Sequence, residues 1–248
     1  MNHCYVGGYW YGRAETKESC VARASGYFAR LGAHDASLGE WLGTSDTLRE
    51  ALAHVIKTDP ESLGQEFESS QHGRTHGGPS PGEGVHSLHA WNGELFGHGA
   101  LCDLDCGGAS IWSSGLALLR LPRRGPAASR LCTITSVTEL LKITVEQWEP
   151  EWAVATAREL RDQILTEDEP PRPVVGWVTY ASRAMARALP ELQRATVEPF
   201  AGGHLITLAD SRPPDFSPEL AADAKRIDAQ LRKARLLTST RERAGGKP

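Results

Sequence analysis

Histidine and cysteine crowd the middle of the chain, where His72, His76, His86, His89, His98, Cys102 and Cys106 fall in one stretch. These residue types ligate zinc, so a metal site is the first chemistry to weigh. His72 and His76 have the i, i+4 spacing of one helix face, but the glycine-rich sequence around them does not hold a helix. Cys102 and Cys106 share one side of a strand-like run, yet no CxxC knuckle or second cysteine pair completes a structural site. The expectation is exposed loop histidines, partly buried thiols and no metal. The same residues leave open a second reading, a metal-dependent or cysteine/histidine hydrolase in which Cys106 or Cys102 meets a histidine in space.

Other catalytic signatures are missing. No serine sits in a GxSxG elbow. Ala244-Gly245-Gly246-Lys247 lacks the earlier glycine of a phosphate-binding loop, and residues 77–84 neither follow a strand nor open a helix. No cofactor is expected, and no enzymatic activity.

The 248 residues are 40% hydrophobic and 23% charged, which excludes disorder as the overall state. Lys and Arg number 27 against 31 Asp and Glu, a net charge of -4 that argues against direct nucleic-acid or anionic-membrane binding. The acid is uneven: residues 1–70 carry 10 acids against 6 bases, and residues 135–169 carry 9 against 3. Such segments are ordinary solvated helix faces or an acidic docking surface for a basic partner. The N-terminus has no basic patch followed by an apolar run, no stretch is long enough to span a bilayer, and the five cysteines are odd in number and scattered. Together these predict reduced thiols and cytoplasmic residence.

Certain elements must carry these residues. Cys4 to Tyr11 reads as a strand, with Gly7-Gly8 marking a bulge or close backbone approach. Thr16 caps a helix over 17–31 that Gly32 stops, and Ser45 caps a second whose face is Leu48, Leu52, Val55 and Ile56. A short helical piece comes next over 61–68. The apolar-free, glycine- and proline-rich run from His72 to Gly84 reads as an exposed loop. Beyond it, Val85–Phe96, Ala100–Leu104 and Ile111–Leu121 read as antiparallel strands, with Asn92-Gly93 as a hairpin turn. Val137, Leu140, Leu141, Val145 and Trp148 make a helical stripe ending before Pro150. Ala153, Ala157, Leu160 and Ile164 make another, whose first turn is equally well a strand. Residues 174–180, 197–200 and 204–208 read as buried strands, and Ser217-Pro218 opens a last helix. Trp10, Trp91, Trp112, Trp148 and Trp177 are expected to be largely buried. The fold class is α+β: a single domain over 1–237 with a mixed, largely antiparallel sheet flanked by helices, and a polar tail at 238–248.

Tyr5-Val6-Gly7-Gly8-Tyr9-Trp10, Glu18-Ser19-Cys20, Trp91-Asn92-Gly93, Leu121-Pro122, Trp148-Glu149-Pro150-Glu151-Trp152, Gly176-Trp177-Val178-Thr179-Tyr180 and Gly202-Gly203, in that order, resemble the immunity protein 52 family over about residues 4–237. The resemblance implies an immunity protein of a bacterial polymorphic toxin system, including type VI secretion. Its partner would be a cognate, restriction-endonuclease-like nuclease toxin, and the family transfers no catalytic residue. With such a partner, the acidic segments become the expected contact: Glu61, Glu66 and Glu68 in the first, Glu149, Glu151, Glu159 and Asp162 in the second. The aromatics Tyr9 and Trp41, or the 73–84 loop, are the alternative.

Overall fold

The computed structural model describes residues 4–72, 85–109, 114–165, 172–185, 189–209, 213 and 216–237. In chain order the elements are β1 (Cys4–Tyr11), α1 (Lys17–His34), a 3-10 turn (Ala36–Leu38), β2 (Trp41–Gly43), α2 (Leu48–Ala53), β3 (Val55–Ile56), α3 (Pro60–His72), β4 (His86–Trp91), β5 (Leu101–Cys106) and β6 (Ser114–Arg120). They continue with α4 (Gly125–Leu131), α5 (Ile134–Trp148), β7 (Trp152–Ala157), α6 (Arg158–Ile164), β8 (Val178–Ala181), β9 (Ala195–Phe200), β10 (Gly203–Leu208) and α7 (Pro218–Lys233). The fold is α+β. Ten strands hydrogen-bond in the order β3-β2-β4-β5-β6-β1-β7-β8-β10-β9, and each described register is antiparallel. Contacts gather the chain into two compact units, Tyr9–Ala128 and Met1–Gly8 with Ser129–Pro248, so β1 contributes to both.

In the Tyr9–Ala128 unit, Thr16 caps α1 by accepting the Ser19 N–H at 3.3 Å. The buried stripe of α1 is Cys20, Val21, Ala24, Tyr27, Phe28 and Leu31. Gly32 does not stop this helix. It lies inside it, where the lack of a side chain admits the Gly39 backbone, whose Cα is 3.0 Å from where a Gly32 Cβ would sit, and the chain turns only at Asp35. With α3, which buries Leu63 and Phe67, α1 covers one sheet face: Phe28 lies 5.3 Å from Trp41, and Phe67 meets His86 edge-on at 6.5 Å. Leu88, Ala90, Cys102, Leu104, Cys106, Ala117 and Leu119 are the buried positions of that face. Trp10 joins them over Gly115, where any side chain would collide with the indole.

The second helix departs from expectation. Thr47 caps it rather than Ser45, accepting the Glu50 N–H at 3.3 Å, and it ends at Ala53. Leu48 and Leu52 stand half exposed, and Val55-Ile56 leaves the helix to pair with β2. The pairing begins where the His54 carbonyl accepts the Gly43 N–H at 2.8 Å, so ladder bonds override the helical period. Asn92-Gly93 does lie between paired strands, but Trp91 pairs with Leu101, which makes the connection a long loop rather than a two-residue turn. Asn92 closes it: its Oδ1 accepts the Ala100 N–H at 2.9 Å and its Nδ2 donates to the Ser37 carbonyl at 2.9 Å.

In the other unit, Thr133 caps α5 through the Ser136 N–H at 3.2 Å, and Glu149, at φ 46°, turns the chain out before Pro150. The next stripe splits at Ala157, strand β7 before it and α6 after. Every residue of β7 and of β8 is buried, with α5 packed against both strands, α6 against β7, and α7 against α6 and β10. Gly8 allows α5 this approach, since a Cβ there would meet Thr144 Cγ2 at 2.9 Å. Strand β9, expected to be buried, is an exposed edge, and Pro199, with no N–H to donate, suits that position. Ser217 caps α7 through the Leu220 N–H at 3.3 Å. Trp10, Trp148 and Trp177 are buried and Trp91 is half-buried. Trp112, the 73–84 loop and the 238–248 tail lie outside the described residues.

Candidate protein-binding surface

The first acidic segment lies on α3. Glu61 is exposed in its first turn, where a carboxylate suits the helix dipole. Glu66 bonds the His54 Nε2 at 2.8 Å, and Glu68 pairs with Lys17. In the second segment Glu149 is the exposed cap of α5, while Glu151 and Glu159 are half-buried. Asp162 bonds Arg161 at 2.7 Å and Arg158 at 3.3 Å. Arg161 also bonds the Tyr5 hydroxyl, which burial pushes up to about 12. Much of the acid is therefore already engaged within the chain, although Glu61, Glu68, Glu149 and Asp162 all remain exposed.

Of the two aromatics, Tyr9 is half-buried on β1, on the face opposite its neighbour Trp10. Trp41 is 1% exposed, its indole donating to the Leu38 carbonyl at 2.9 Å against Phe28. It is a core residue and offers no surface to a partner, because the period-2 alternation of β2 turns it inward toward α1.

The histidine- and cysteine-rich middle resolves into structural contacts. His89 Nδ1 bonds Asp103 at 2.9 Å, His86 packs on Phe67 with its pKa lowered by burial and by Lys17, and His98 is exposed. Burial pushes the Cys102 thiol well up, and contact with Cys20 together with burial does the same for Cys106, which removes the thiolate a nucleophile needs. Among the described residues no group of three or more His, Cys, Asp and Glu is placed to hold a metal ion.

The sheet face turned away from α1 and α3 is not visible in the sequence. Ladder partners share a face, and the registers Val55↔Leu42↔Trp91↔Leu101↔Arg120 run one row across five strands. Val55 is 64% exposed and Leu101 41%, with Leu42 and Trp91 half-buried between them. Asp103, between His89 and Arg120, sits in the next row; burial raises its pKa, but the His89 bond and the Arg120 charge outweigh that and hold it below the usual carboxylate range. A signal exists in the alternation of Leu101-Cys102-Asp103-Leu104-Asp105-Cys106, but without the registers the outward residues do not join into a patch.

No curated protein matches this chain. Among solved structures, the Pseudomonas aeruginosa T6SS protein PA0821 superposes with a TM-score of 0.52 at 12% identity, over 93% of this chain and 73% of that one. At that identity the likeness concerns the fold. No helix among the described residues is long and apolar enough to cross a membrane. The model for immunity protein 52 matches residues 2–240, nearly the whole chain, and the protein belongs to that family.

Proposed function

We propose that this chain is a non-enzymatic immunity protein that binds and neutralises a cognate nuclease toxin in the cytoplasm of the bacterium that makes both. The family match over residues 2–240 carries the reading. The fold it shares with a T6SS protein supports a type VI effector as the toxin. A complex of this kind covers about 800 Å2 on each partner. A nuclease presents basic residues to phosphate, and Glu61, Glu66, Glu68, Glu149, Glu151, Glu159 and Asp162 would draw such a surface in at long range. Co-expression with the toxin encoded by the neighbouring gene tests the reading. Protected cells and a co-purifying complex are expected; unprotected cells and no complex would refute it. Reversing Glu61 and Glu68, or Glu149 and Asp162, to lysine should slow association by roughly tenfold at low salt. An unchanged on-rate for both pairs would remove the acidic segments from the contact.

A further inference from the structure

Four of the five cysteines stand in pairs, one pair inside each compact unit. Cys4, the first residue of β1, bonds Cys132 within the unit of Met1–Gly8 and Ser129–Pro248. Cys20 on α1 bonds Cys106 on β5 within Tyr9–Ala128. Cys102, fully buried on β5, is the fifth, and all five are reduced. Thiols in hydrogen-bonding contact already hold their sulfurs at adjacent sites, which is the first requirement of a disulfide.

The two pairs differ in access. Cys20 and Cys106 are 0% and 1% exposed, shut between α1 and the sheet. Cys132 is 8% exposed, the most of the five, and lies in the short link between α4 and α5 with Arg130 and Thr133 exposed on either side. A bond across this link, from the Thr133 hydroxyl to the Arg130 carbonyl, is long at 3.4 Å. Opening the link to a small molecule therefore disturbs less than parting α1 from the sheet.

The pairs also differ in charge. The Cys4 S–H donates to the Cys132 sulfur. That bond and burial drive the Cys4 thiol far up, with the Glu159 carboxylate adding to them, while at Cys132 the same bond outweighs burial and holds the thiol below its usual range. Cys132 also stands one residue before the N-cap of α5, on the side where the helix dipole favours an anion. One sulfur is thus disposed to be the thiolate and its neighbour to carry the proton, as in an attacking and a resolving cysteine. Nothing comparable favours Cys106, whose thiol is driven up by the Cys20 bond and by burial, with Glu15 and Asp105 adding negative charge.

We propose that Cys132 is an oxidation site for hydroperoxides and that Cys4 resolves it into a reversible Cys4–Cys132 disulfide. In the first step the Cys132 thiolate attacks one peroxide oxygen, the O–O bond breaks, and hydroxide or alkoxide leaves. Cys132 becomes a sulfenic acid, losing two electrons to the peroxide. In the second step the Cys4 sulfur attacks the sulfenic sulfur, the S–O bond breaks, and the oxygen leaves as water with the Cys4 proton. Two equivalents of a small thiol restore the reduced pair. The disulfide ties the first strand to the entrance of α5, and it does not depend on the toxin-binding reading.

The test treats the purified full chain, reduced and then freed of reductant, with hydrogen peroxide, and maps its peptides by mass without reduction. One crosslink is expected, Cys4 to Cys132, formed about tenfold faster than any change at Cys20, Cys102 or Cys106 and undone by dithiothreitol. Cys4→Ser should leave Cys132 as a sulfenic acid that dimedone captures, and Cys132→Ser should leave Cys4 unlabelled. The peptide map needs only the parent chain, so it decides the matter even where a variant folds poorly. Cys4 and Cys132 still free when cysteine in a parallel tube is fully oxidised would overturn the proposal. So would oxidation of Cys20 and Cys106 at an equal rate, or dimedone on Cys4 in the Cys132→Ser chain.

Discussion

Strands β7 and β5 are each six residues long, but they meet their surroundings differently. All six residues of β7 are buried, whereas β5 alternates, with Cys102, Leu104 and Cys106 inward and Leu101, Asp103 and Asp105 toward solvent. Helices α5 and α6 pack against the β7–β8 region, while α1 and α3 cover only one face of the β4–β5–β6 region. The closed region spends its side chains on cohesion. The half-open region keeps apolar side chains that cohesion does not use, and those are available to a partner.

This contrast can be broken most directly in the closed half. Trp177→Ala should cost about 3–5 kcal/mol by chemical denaturation, since the ring is fully buried. Leu101→Ala on the open face should cost less than about 1 kcal/mol; equal losses would erase the distinction. Removing Arg172 comes next. Its guanidinium bonds Asp228 at 3.0 Å with both side chains almost wholly buried, and Arg172→Ala should cost about 3–5 kcal/mol by stranding the carboxylate. Gly8→Ala should cost about 1–3 kcal/mol by forcing apart β1 and α5.

Titration sharpens the same comparison. Asp103 on the open face has a folded pKa below its unfolded value, so it stabilises the fold above about pH 4 and that share is lost as pH falls through the folded value. Asp228 is raised, chiefly by burial despite Arg172, so its share has the opposite sign and declines as pH rises above about 4. Asp103→Asn should therefore flatten the acid limb of a stability–pH profile; an unchanged limb would mean that the pair with Arg120 and His89 contributes nothing. The smallest effect is a gain. Glu149 holds a left-handed φ of 46°, and Glu149→Gly should add about 1 kcal/mol, read as a higher melting temperature.

The legible parts of the fold are those specified locally. Thr16 and Ser217 each stand before an apolar stripe, and each caps its helix by accepting an N–H three residues on. Ala157 shows where local reading ends: it fits the strand period before it and the helix period after it, and only pairing with β8 decides for Trp152 to Ala155. Val55 fits a helical face in the sequence, which cannot display the ladder with β2 that claims it. The acidic segments are visible as composition, but the partners that occupy them, Lys17 for Glu68 and His54 for Glu66, come from distant parts of the chain.

The division of the chain also sets an order in time. Tyr9–Ala128 is one continuous stretch, whereas Met1–Gly8 shares its unit with Ser129–Pro248. On a ribosome adding about 5–20 residues per second, that stretch is fully made on the order of ten seconds before the chain is finished. The opening residues must wait through that interval for the segment that completes their half. The Tyr9–Ala128 unit is thus complete in the nascent chain before the segment that joins Met1–Gly8 has been made.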